Sequence, residues 1–272
     1  MTQFALNHMT VPGLGFEALL ALAGSLKCVG VEFRNDLRGA LFEGVAPGEV
    51  KRVARSAHLR ILSLAEIKAF NDWSAQKAQE ALSLMAIAHG CGAEGVSLIP
   101  RADGKRLAKE DRISDLKRSI DALFPMLEEF DLIGMVEPLG FERSNLRFKE
   151  EAVEVIEGLG ASHRFKLVHD TFHHALAGGG PVFAGHTGLV HVSGVEDQGP
   201  QFAQMRDDHR VLVGPNDRLG NVAQIEDLMT DGYDGPISME AFSPEVHALD
   251  DPKSAINESF VHLTEALAAK AA

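Results

Sequence analysis

Cysteine is scarce: Cys28 and Cys91 are the two in 272 residues. Two thiols cannot build a disulfide framework, and each precedes a short apolar run, so both read as buried packing residues. Long apolar runs are missing too. None reaches the roughly 18 residues needed to cross a bilayer. The first residues, MTQFALNHMTVPG, lack a basic patch followed by an apolar stretch, which argues against a secretory signal and for a cytoplasmic protein. Positive charge is in deficit. The formal net charge is −13, and basic residues gather only in small groups such as Lys51, Arg52 and Arg55. A nucleic-acid binder needs a basic stripe that displaces counterions from phosphate. The expectation is therefore no nucleic acid and no membrane as partner, whereas a small neutral substrate stays open. Finally, Gly13 and Gly15 stand without the third glycine of a dinucleotide-binding turn, which weakens the case for an open doubly wound sheet.

What is present is alternation. Hydrophobic residues make up 45% of the chain, enough for a large core. Short runs rich in Val, Ile and Leu recur at 4–7, 28–33, 61–67, 95–100, 133–138, 165–170, 189–194 and 236–241. They read as strands covered on both faces. Amphipathic helical stretches separate them at 16–26, 48–57, 74–89, 111–129, 148–158, 221–229 and 254–269. Residues 171–188 are too glycine-rich for a long helix and read as a short helix plus a loop. Pro47, Ser74 and Asp251-Pro252 mark helix starts, and Gly92, Gly160 and Gly232 mark helix ends. Alternating strand and helix implies parallel strands with right-handed crossovers. The expected fold is one α/β domain over residues 1–272, a (β/α)8 TIM barrel.

In such a barrel the site lies where strands end. The fifth strand ends in Glu137, the sixth in Asp170 and the eighth in Glu240, while the seventh carries His191. Three carboxylates converging without a cation would repel at low dielectric. One divalent metal ion removes the repulsion, and an oxygen-rich set with one nitrogen suits Mn, Mg, Co or Zn. Taken singly, each carboxylate could instead cap the next helix or pair with a nearby cation, and His191 could be a hydrogen-bonded core histidine. Glu32, Arg34 and Glu66 lie near the ends of the second and third strands, as substrate contacts or as a structural ion-pair network. His169 precedes Asp170 on its strand, so its side chain should face the helices.

The segments VEPLGF (136–141), LVHDTFHH (167–174), HVSGVED (191–197) and SMEAF (238–242) resemble the metal-site motifs of the xylose isomerase-like TIM-barrel enzymes. The likeness is greatest to the inosose (2-keto-myo-inositol) isomerases. It extends to ALNHMT (5–10), VEFRND (31–36) and AFNDW (69–73), and so covers essentially the whole chain. The stretch 207–217 departs from the shorter loops of that group. The resemblance implies a metal at Glu137, Asp170, His191 and Glu240, and substrate contacts from His173 and Arg210. Arg210 could instead merely pair with Asp207 or Asp208, and His173 could be an ordinary helix-start residue. His174 is a weaker candidate. Phe70 and Trp73 could wall a sugar ring, and Glu66 could bind its hydroxyls.

These groups suit one chemistry. A metal chelated by the carbonyl and neighbouring hydroxyl of a polyhydroxy ketone stabilises an enediolate, while Glu137 and Glu240 exchange protons with its carbons. His173 would polarise a substrate oxygen. The expected activity is that of a sugar or inosose isomerase or epimerase in carbohydrate or inositol metabolism. The alternatives are a metal-dependent dehydratase of a dehydroshikimate-like compound and a non-catalytic sugar-binding barrel. A homo-oligomer is compatible with the resemblance.

Overall fold

The computed structural model describes residues 2–105 and 107–270. Parallel strands β1 (Phe4–Asn7), β2 (Gly30–Arg34), β3 (Arg60–Lys68), β4 (Gly95–Ile99), β5 (Ile133–Val136), β6 (Phe165–Asp170), β7 (Thr187–Val192) and β8 (Ile237–Met239) pair in sequence order, and β8 closes on β1. The outer ring is α1 (Phe16–Ser25), α2 (Pro47–Ser56), α3 (Ala75–Cys91), α4 (Lys109–Phe130), α5 (Lys149–Gly158), α6 (Thr171–Ala177), α7 (Asn221–Thr230), α8 (Pro244–His247) and α9 (Pro252–Lys270). This is the (β/α)8 barrel expected from the alternation. The boundaries shift slightly: β2 starts after Cys28, β7 starts at Thr187, and Glu137 and Glu240 lie one residue beyond the paired parts of their strands. The turn α8 had no signature of its own.

Local signals set the helix ends. The Ser74 side chain accepts from Lys77 N at the start of α3, and Gly92 ends it at φ 74°, where an L side chain would be strained. Asp170 caps α6 by accepting from His173 N.

Two apolar layers hold the barrel. The larger lies between strands and helices and includes Val31, Leu64, Val96, Leu123, Val190 and Leu263. A smaller cluster of Ala5, Leu62, Met135, Val168 and Leu189 is separate from it. Met135, Val168 and Leu189 each stand two residues before Glu137, Asp170 and His191. Side chains two apart on a strand share a face, so this cluster is the plug of the barrel interior, and the polar residues stand above it at the C-terminal mouth. Cys28 and Cys91 are buried, and burial pushes the Cys28 thiol up to about 12. It is an inert packing group, as expected. Among the described residues no helix is long and apolar enough to cross a membrane.

Candidate metal centre

Glu137, Asp170, His191 and Glu240 converge. All four are buried, and one donor atom from each lies within 4.8 Å of the others. His191 Nδ1 lies 3.1 Å from Glu240 Oε2, 3.7 Å from Glu137 Oε2 and 3.9 Å from Asp170 Oδ2. It is nevertheless buried, and none of these contacts is aligned as a hydrogen bond. A buried ring nitrogen without a partner is costly. An orphan nitrogen amid three carboxylates is a donor set suited to a divalent cation, so the residues fit a metal of the kind the resemblance implies.

The other face of the ring is anchored. His191 Nε2 lies 3.1 Å from Glu32 Oε2. Since a carboxylate only accepts, the imidazole donates. Glu32 therefore contacts the centre rather than the substrate pocket, whose lining does not include it.

Two arginines hold the carboxylates. Arg34 Nη1 donates to Glu240 Oε1 at 2.7 Å and also binds Asp36. Arg210 Nη2 donates to Asp170 Oδ2 at 2.6 Å and Glu240 Oε2 at 2.9 Å, while its Nε donates to Ser193 Oγ. Its guanidinium also lies against the rings of Phe172 and Phe242. The simpler reading of Arg210, a pair with Asp207, is present but peripheral, at 3.4 Å; Asp208 pairs with Arg206 instead. Arg210 sits on a long excursion after β7, yet its backbone is fixed. Gly194 and Val211 exchange two backbone hydrogen bonds, and the Arg210 carbonyl accepts from Phe242 N and Ser243 N. A Cβ at Gly194 would meet Leu212 O at 2.8 Å, so only glycine permits this close approach.

The electrostatics separate two chemically identical residues. Burial raises the Glu137 carboxyl well above its usual range, and Glu240 and Asp170 add to the effect against His191. Burial also pushes Glu240 upward, but His191, Arg210 and Arg34 outweigh it and hold that carboxyl below its usual range. Burial disfavours a charged His191, yet Glu240 and Glu32 outweigh it and raise its pKa; a cation bound at Nδ1 would take the place of that second proton. His173 is lowered by burial and stays neutral. Its Nε2 lies 3.8 Å from Glu137 Oε1.

A cavity of about 440 Å³ opens above the centre. Glu137, His173, Arg210, Glu240, Arg34 and Glu66 line it, together with Phe141 and Phe242. Glu66 lies 3.8 Å from Arg34, and burial raises its carboxyl. Phe70 and Trp73 stand elsewhere. Phe70 is fully buried in the layer between strands and helices, Trp73 packs against that layer, and neither lines the cavity. The aromatic wall is Phe141 and Phe242, which lie within the quoted motifs two to four residues after Glu240 and Glu137. Proximity in sequence to a strand-end carboxylate was the signal for them. His169 faces the helices as expected: Nδ1 lies 2.5 Å from Lys149 Nζ on α5, and Nε2 lies 2.9 Å from Gln224 Oε1 on α7. His174 shares Lys149 at 3.0 Å and is not among the residues lining the cavity.

Fold and site together define a (β/α)8 barrel with a buried carboxylate–imidazole centre at its C-terminal mouth. Residues 20–266 match the sequence profile described as xylose isomerase-like TIM barrel, and the chain belongs to that family. A xylose isomerase domain-containing protein from Salmonella typhimurium LT2 is 30% identical, with a TM-score of 0.88 over 98% of this chain and 97% of its own. An IolI protein solved with a zinc atom is 18% identical, with a TM-score of 0.85 over 98% and 99%. An L-ribulose 3-epimerase is 19% identical, with a TM-score of 0.72 over 99% and 95%. The latter two share the fold. A search of curated proteins finds no match.

Proposed function

We propose that this protein is a divalent-metal-dependent isomerase or epimerase of a small polyhydroxy ketone, a keto-inositol or ketose. The observation that carries the reading is the orphan His191 Nδ1 aimed at three buried carboxylates on the floor of a ligand-sized cavity. The likeness in fold to an L-ribulose 3-epimerase and to the zinc-containing IolI protein supports it.

Glu137, Asp170, His191 and Glu240 would hold the ion, which when bound supplies Lewis-acid polarisation of the substrate's carbonyl and hydroxyl oxygens. The remaining work falls to side chains. Pairs of carboxyls whose surroundings push their proton affinities apart divide into base and acid. Arg34 and Arg210 keep Glu240 ionised, so its carboxylate accepts a proton from the substrate carbon. At Glu137 burial favours the protonated form over the charged one, so it is the carboxyl that passes a proton back to the substrate. Neutral His173, beside Glu137, donates to or accepts from a substrate oxygen. Phe141 and Phe242 cover the apolar face of the ring and exclude water, while Glu66 and Arg34, which lies over the Phe242 ring, meet its hydroxyls.

The test is an assay of the purified protein with Mn, Mg, Co or Zn against ketoses, inososes and dehydroshikimate in deuterated water. Isomerised or epimerised product with deuterium at the α-carbon is expected. Loss of water from dehydroshikimate alone would establish a dehydratase. Tight sugar binding with no turnover under any metal would establish a binding barrel.

A further inference from the structure

Glu32 has no exposed surface and does not line the cavity. Burying a carboxylate is costly unless it is paired and hydrogen-bonded. Among the described residues no lysine or arginine pairs with it; its ionisable partner is His191. Its other oxygen, Oε1, accepts from Asn7 Nδ2 at 3.1 Å and from Ser238 Oγ at 2.6 Å. Asn7 cannot turn its amide around, because its Oδ1 already accepts from Met9 N at 3.0 Å.

We propose that Glu32 is a positioning residue that sets the tautomer of His191, keeping the proton on Nε2 and the Nδ1 lone pair directed at Glu137, Asp170 and Glu240. This rests on the metal centre proposed above. An imidazole binds a metal only through an unprotonated nitrogen. A carboxylate opposite Nε2 can only accept, so it holds the proton there and leaves Nδ1 bare. Asn7 and Ser238 determine which Glu32 oxygen faces which partner. Three strands, β1, β2 and β8, thus converge on the protonation pattern of a residue on β7.

The arrangement yields an unusual order of variants. In Glu32→Gln the amide oxygen must take the position to which Asn7 donates. The NH2 group then faces His191 Nε2 and can only donate. His191 must accept there and carry its proton on Nδ1, the wrong tautomer for a ligand. Glu32→Ala leaves Nε2 free to keep its proton. Titration calorimetry with Zn²⁺ or Mn²⁺ alone should therefore show Glu32→Gln weakened by roughly 10- to 100-fold and Glu32→Ala weakened less, although it deletes more atoms. A role in packing alone predicts the reverse order. Equal affinity of wild type and Glu32→Gln, or a larger loss for Glu32→Ala, overturns the proposal.

A second measurement needs no variant. In zinc-loaded wild-type protein labelled with ¹⁵N-histidine, His191 should carry its proton on Nε2, shifted downfield by the carboxylate. A bare Nε2 overturns the proposal even if Glu32→Gln does not fold. Wild type that takes up no divalent ion removes the metal centre itself, an outcome distinct from a bound metal indifferent to Glu32.

Discussion

Glu137 and Glu240 carry the same carboxyl group but sit in opposite fields. Glu240 lies between Arg34 and Arg210, while Glu137 faces neutral His173 and the two neighbouring carboxylates. Under the proposed chemistry, Glu240→Gln at saturating metal should lower deuterium exchange at the substrate α-carbon by roughly 100-fold or more. Glu137→Gln should slow net conversion while leaving more of that exchange. Equal loss of both rates in the two variants would sink this division. The same scale shows what sequence could and could not reveal. The strand-end carboxylates were legible because position in a barrel strand predicts direction. Phe70 and Trp73 misled because both follow β3 closely, where the chain turns down into the helix layer rather than over the mouth. The role of Glu32 was open because nothing local distinguishes a buried carboxylate that orients a ligand from one that meets a substrate.

Individual elements deliver these residues. The bridge between Gly194 and Val211 brings Arg210 back over the mouth from an excursion with little regular structure. Gly194→Ala should push that segment outward and lower kcat/KM by roughly 10- to 100-fold, as misplacing a positioning group does. Steady-state kinetics and a denaturation curve on the same sample check it; an unchanged kcat/KM with reduced stability would confine the glycine to folding. A second element effect concerns α5, β6 and α6, which meet at Lys149, His169 and His174. Burial first, and then Lys149, lower His174 from 6.5 to about 4. Between those values the unfolded chain binds more protons than the folded one, so stability falls as pH drops from about 6.5 to about 4. Denaturant midpoints across that range should decline, and His174→Asn should flatten the decline. An identical slope in the variant would remove His174 as its cause.

The whole molecule links site to stability. The four candidate ligands come from β5, β6, β7 and β8, and Arg34 adds β2, so a bound ion ties much of the barrel together. An ion that binds the folded chain alone should stabilise it by about 2.7 kcal/mol at 100 times its dissociation constant. Thermal unfolding should shift upward with added divalent metal, return with a chelator, and show no metal shift in His191→Ala. The sequence by itself determined the (β/α)8 architecture and the positions of the strand-end carboxylates. Both follow from periodicity and from charge, which act over a few residues. The tertiary structure alone decided how Arg210 is pinned, which aromatics wall the cavity and what Glu32 touches. Those contacts join residues as far apart as 159 positions for His191 and Glu32 and 206 for Ser238 and Glu32. Closure of the barrel brings such residues together, and no local pattern records which of them will meet.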